Sequence, residues 1–208
     1  VLRPLRVVID NYPEGKMEEF DCPFHPKNLE MGSRKVPFGR VLYIEQDDFM
    51  ENPPKKFFRL SEGKEVRLRY GYFIKCVGVE KNSETGAVET VHCTYDPETR
   101  SGFAPDGRKV DGTIHWVSAD HAIPCEARLY DRLFCVPDPL AEDTEYKTFL
   151  NPNSLEVLMT AMVEPDLRKV EAGQHFQFER LGYFIVDAVD SSKKSIVFNR
   201  TVTLRDSW

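Results

Sequence analysis

Nine runs of alternating or β-rich sequence, each broken by turn chemistry, constrain this chain more than any other feature. They lie at Leu5–Ile9, Arg40–Glu45, Glu65–Val79, Val88–Tyr95, Thr113–Val117, Ala127–Val136, Leu155–Met162, His175–Val189 and Ile196–Val202. Between them stand Asn82-Ser83-Glu84-Thr85-Gly86, Asp96-Pro97, Pro105-Asp106-Gly107 and Asp190-Ser191-Ser192, residues that accept left-handed or proline-fixed backbone. Many short strands with regular turns predict an all-β fold of barrels or sandwiches, with no alternating α/β layers. Helical signal is confined to two short pieces, Ala141–Leu150 and Pro165–Val170, the second ended by Gly173.

The chain has 208 residues, enough to bury a core as one large domain or two small ones. Asn52-Pro53-Pro54 and Val136-Pro137-Asp138-Pro139 read as hinges. A β unit over 55–136 is therefore expected to be inserted into another built from 1–54 and 137–208. The net charge of −6 and pI near 5.5 argue against bulk nucleic-acid binding, where a basic footprint supplies the affinity. They leave room for a few bases held by placed arginines. No apolar run approaches the ~18 residues of a membrane span, so no membrane partner is expected. The start Val1-Leu2-Arg3-Pro4 is no signal peptide. Lacking an initiator methionine, it predicts a chain that begins within a longer protein. The five cysteines are scattered and show no CxxC spacing, so they read as reduced core thiols of a cytoplasmic protein.

Few residues suggest chemistry. Arg67 and Arg69 share one face of a strand, about 6.8 Å apart at a ~3.4 Å rise. Two planar donor forks side by side suit carboxylates, phosphates or base edges; the plainer reading is a solvated face paired to nearby glutamates. Cys22-Pro23-Phe24-His25 places two metal-ligating side chains close together without a second pair. A core thiol and a loop histidine is the better reading. Ser118-Ala119-Asp120-His121 has the letters of a hydrolase triad, but neighbours on one strand-to-turn segment do not converge as nucleophile, base and orienter. No GxGxxG, Walker loop, HExxH or GxSxG is present, and no catalytic residue is assigned. Aromatics beside arginine, in Phe57-Phe58-Arg59, Arg69-Tyr70 and Phe178-Glu179-Arg180, are candidates for the core first and for base stacking second.

Longer motifs are more specific. Glu30–Phe38 (EMGSRKVPF), Gly63–Arg69 (GKEVRLR), Asp106–Ser118 (DGRKVDGTIHWVS), Arg128–Phe134 (RLYDRLF), Phe176–Phe184 (FQFERLGYF) and Phe198–Val202 (FNRTV) follow one another in order along the chain. In this order and spacing the chain resembles the C-terminal anticodon-binding region of the glutaminyl-tRNA synthetases. The resemblance implies two antiparallel β-barrels of the ribosomal-protein-like kind, a proximal one from 1–54 plus 137–208 and a distal one over 55–136. It implies a partner, the anticodon loop of a glutamine-accepting tRNA. It also implies a catalytic region N-terminal in the same polypeptide, where ATP and magnesium would act, and no cofactor or metal in this part. The rivals are the barrels of the related glutamyl enzymes and a stand-alone β-barrel RNA-binding or protein-interaction module.

Carried over by motif, Arg67 and Arg69 would engage the first anticodon base. Arg59 would read the third, a guanine, and Gln177 with Arg180 the middle uracil. Phe58 stands where relatives can carry lysine, and Lys27-Asn28 inverts a family order. Gln177 and Arg180 have opposite strand parity. If both serve one base, the resemblance predicts a bulge, bend or strand end near Glu179, with Gly182 involved.

Overall fold

The computed structural model describes residues 1–141 and 144–204. Among the described residues the strands run β1 Pro4–Ile9, β2 Glu18–Pro23, β3 Ser33–Phe38, β4 Val41–Glu45, β5 Glu65–Leu68, β6 Phe73–Lys81, β7 Val88–Asp96, β8 Thr113–Ile114, β9 Val117–Ser118, β10 Ile123–Tyr130, β11 Leu155–Val163, β12 His175–Phe178, β13 Gly182–Val186 and β14 Ile196–Val202. The helical turns are all 3-10, the longest being Pro97–Gly102. The expected helix at Ala141–Leu150 is reduced to one such turn at Tyr146–Phe149, and Glu142 and Asp143 lie outside the described residues. The expected 165–170 helix is the turn Pro165–Lys169. Among the described residues no helix is long and apolar enough to cross a membrane.

Two compact units emerge: Val1–Ile123 with Met162–Arg168, and Pro124–Ala161 with the chain from Lys169 onward. This division departs from the expected boundaries. Strands β1 and β4, from 1–54, share one sheet with β5, β6 and β7, from 55–136. Pro53 and Pro54 sit in a loop closed by the bridge Phe49↔Leu60, so they turn the chain within a unit. A rigid proline marks a turn as readily as a hinge.

The first unit is built on a seven-stranded sheet of order β8-β5-β6-β7-β1-β4-β9. Its two edge strands, β8 and β9, are separated in sequence only by His115 and Trp116. From Ile114 to Val117 the chain reaches at most about 11 Å, so the two edges come close and the sheet curls. Trp116, in this link, is buried. The core joins Val7, Ile9, Leu42, Ile44, Leu68, Ile74 and Ile114 to an edge-to-face cluster of Tyr12, Phe20, Phe38, Tyr72 and Trp116.

The second unit carries a five-stranded sheet, β11-β10-β14-β13-β12. Phe178 stacks on Phe184 at 4.2 Å, and Phe198 meets Phe178 edge-on at 5.2 Å. Most pairings are antiparallel, as expected. Among the pairings of the described residues, β1–β7, β5–β8 and β10–β14 are parallel. Their partners lie far apart in sequence, and a long connection permits parallel pairing where a hairpin does not. Cys22, Cys76, Cys93 and Cys125 are buried free thiols, but Cys135 is exposed and so is no core residue.

Candidate nucleic-acid interface

Strand β5 places the first two candidate arginines. Val66 and Leu68 point into the core, while Glu65 and Arg67 stand on the half-buried outer face. Beyond the end of the strand, the backbone continues its alternation for one more residue. The Arg67 amide donates to Gly112 O and the Arg69 amide to Ile114 O, both at 2.9 Å. Arg67 and Arg69 therefore keep the same parity, as their spacing predicts. The chain then turns sharply at Tyr70, whose φ is +61°. Trp116 Nε1 donates to Arg69 O at 3.0 Å and braces that turn.

The two side chains have different neighbours. Arg67 Nε donates to Thr113 Oγ1 at 3.1 Å. The Arg69 guanidinium lies over the Tyr70 ring, 4.9 Å from its centroid. The nearest acid in sequence, Glu65, is held by Arg108, with Nε–Oε2 at 3.0 Å. The plainer reading, Arg67 paired to a local glutamate, therefore gives way to a hydroxyl partner. Arg59 lies in the loop before β5, half-exposed, with Nη1 3.0 Å from both Asp47 O and the buried Asp48 carboxylate. Phe58, beside it, is 57% exposed.

Gln177 and Arg180 belong to the second unit. Strand β12 ends at Phe178, one residue after the exposed Gln177, and Glu179–Leu181 form the turn into β13. Arg180 is exposed at the apex with φ +66°, and Gly182 has φ +146°. A further register shift falls at Tyr183/Phe184. The strand end that opposite parity demanded is present. Phe178 is a core ring, so it offers no platform for a base.

The remaining sequence candidates take structural places. Burial pushes the Cys22 thiol up to about 11 despite the nearby Arg34, and His25 Nδ1 accepts from the Lys27 amide in an exposed loop. Asn28 caps the turn Leu29–Met31 by accepting from the Glu30 amide. Ser118 Oγ and His121 Nδ1 meet at 3.1 Å across a tight turn, a single serine–histidine contact and not the three-residue convergence of a triad. Thr113 and Gly102, which line Arg67, were invisible to sequence reasoning because the β5–β8 pairing spans more than forty residues.

Two family profiles, both described as the anticodon-binding domain of class I tRNA synthetases (E and Q), match residues 1–96 and 113–187. The chain is 56% identical over 208 residues to a glutamine–tRNA ligase of Bradyrhizobium diazoefficiens, covering all of this chain and 37% of that protein. Against those of Cupriavidus metallidurans and Vibrio vulnificus the identities are 54% and 53%, again over the whole chain, with 36% and 37% of the relative covered. The chain thus spans little more than a third of the length of these relatives. Two matches of one description, joined to whole-chain similarity, place the chain in the anticodon-binding domain family of the class I (E and Q) tRNA synthetases.

Proposed function

We propose that this chain reads the anticodon of a glutamine-accepting tRNA as the anticodon-binding part of a glutamine–tRNA ligase. Activation of glutamine with ATP and magnesium would belong to a catalytic region of the same polypeptide, and this region would take no cofactor itself. The observation that carries the reading is that the two family matches cover both candidate sites, the Arg59/Arg67/Arg69 segment and the Gln177/Arg180 hairpin. All five side chains present hydrogen-bond donors, and four are guanidiniums suited to acceptor-rich base edges. Splayed-out bases would be read one by one: the first by Arg67 and Arg69, the middle by Gln177 and Arg180, the third by Arg59. A wrong base would leave desolvated donors unpaired, which is the stronger source of discrimination. The acidic net charge fits a reader that acts through placed arginines and leaves much of the affinity for the tRNA body to other regions. These properties suit a cytoplasmic protein.

The test is binding of tRNA transcripts with each anticodon base changed in turn, against Arg59→Ala, Arg67→Ala, Gln177→Ala and Arg180→Ala. Each substitution should relax discrimination at its own base by about 1–3 kcal/mol. Uniform weakening at all three positions would identify phosphate contacts and refute base reading. Equal affinity for glutamate-accepting tRNA would shift the assignment to the glutamyl enzymes.

A further inference from the structure

Arg67 is held by more than its own strand. Its Nε donates to Thr113 Oγ1 at 3.1 Å. Gly102 also closes on the side chain: a Cβ there would stand 2.5 Å from Arg67 Cδ, and its φ is +84°. The left-handed backbone favours glycine at 102, and a Cβ there would push the flexible end of the Arg67 side chain aside.

The segment that carries Gly102 is pinned at several points. The Asp96 side chain accepts from the Glu98 amide at 2.9 Å. The buried Thr99 hydroxyl donates to Asp96 O at 2.7 Å and accepts from the Phe73 amide at 2.9 Å. Arg108 bridges Glu65, Asp96 and Asp106 while its guanidinium lies 5.5 Å from the centre of the Phe73 ring. Gly112 passes so close to Phe58 that a Cβ would lie 2.3 Å from Phe58 O. The loop over 97–112 is thus a wall pinned through Thr99, Arg108 and Gly112, and Arg67 touches both that wall and β8.

We infer that Thr113 and Gly102 are positioning residues that set the aim of the Arg67 guanidinium. This rests on the reading of Arg67 as a base contact. With Nε engaged by Thr113, the guanidinium offers Nη1 and Nη2, an end-on fork for two neighbouring acceptors on a nucleobase edge. A guanidinium free to rotate would trade that fork for contacts to any passing phosphate. The wall therefore contributes to discrimination more than to total affinity.

Thr113→Val is nearly isosteric and removes the acceptor, whereas Thr113→Ser keeps it. With tRNA transcripts bearing each of the four bases at the first anticodon position, Thr113→Val should reduce first-base discrimination roughly 3- to 10-fold, the worth of one hydrogen bond. Thr113→Ser should retain it. In the protein without RNA, exchange of the Arg67 Nε–H with water should accelerate in Thr113→Val and not in Thr113→Ser. Gly102→Ala, which displaces the side chain by a different route, should also lower the discrimination ratio. It keeps the test decisive if Thr113→Val proves unstable.

Unchanged discrimination in Thr113→Val and Gly102→Ala would overturn the inference, as would equal losses in the valine and serine variants. Arg67→Ala separates the levels. If it leaves first-base discrimination intact, the reading of Arg67 falls and takes the inference with it. If it abolishes discrimination while Thr113→Val preserves it, the positioning inference alone falls.

Discussion

Arg180 occupies a backbone conformation that its own side chain disfavours. A non-glycine residue at φ +66° gives up about 1 kcal/mol against the right-handed or extended regions. Tyr70 at φ +61° does the same beside Arg69. Both strained residues adjoin or belong to the candidate reading groups, as strained residues cluster at functional sites in other proteins. Arg180→Gly should therefore leave thermal stability unchanged or raise it by up to about 1 kcal/mol, while tRNA binding weakens. A cooperative unfolding curve shifted to lower temperature would show instead that the arginine supports the hairpin. The need for an irregularity was readable from the parity of Gln177 and Arg180. Its form, a strand end with a left-handed apex, was not, because several turn types satisfy the same parity.

At the scale of elements, the β2–β3 hairpin was hidden in the sequence. Glu18–Pro23 offers only Phe20 and Cys22 as an alternating apolar pair, and β3 contains Pro37, so neither segment shows a strand period. Phe20, Cys22, Val36 and Phe38 bury the hairpin's inner face in the core, and a polar contact fastens its edge. Glu18 accepts from Tyr12 at 2.8 Å, from Tyr72 at 2.9 Å and from Arg100 at 3.2 Å. Burial alone would push the Glu18 carboxyl up, but the hydrogen bonds from Tyr12, Tyr72 and Arg100 outweigh it and hold the group below its ordinary 4.5. Burial and the same carboxylate push the Tyr72 hydroxyl up to about 12.

The folded state therefore favours ionised Glu18. Its contribution is complete above pH 4.5 and is lost as pH falls through the lowered value. Glu18→Ala should cost roughly 1–3 kcal/mol near neutrality, because two hydroxyls and a guanidinium lose their acceptor. The variant should also show a weaker acid dependence of stability in denaturant titrations from pH 3 to 7. An unchanged acid limb would assign that dependence to other carboxylates.

For the whole molecule, β1 is the decisive strand. It lies between β7, in parallel register, and β4, in antiparallel register, so it joins the segments on either side of Pro53-Pro54 into one curled sheet. A fragment of residues 55–136 would lack β1 and β4 and would contain β9 without its partner. It should show neither dispersed amide resonances nor a cooperative transition. A folded 55–136 fragment would instead restore an inserted domain with those boundaries.

The sequence by itself determined the all-β class, most strand positions, the shared face of Arg67 and Arg69, and, through its long motifs, the family. Each is written in local periodicity or in runs of letters a few residues long. Tertiary structure alone decided the unit boundaries, the parallel pairings, the curl of the sheet at His115–Trp116, and the contacts of Arg67 with Thr113 and Gly102. Those depend on contacts between segments tens of residues apart. Local propensity is blind to them, because hydrogen bonding and burial are satisfied only once the sheet has curled.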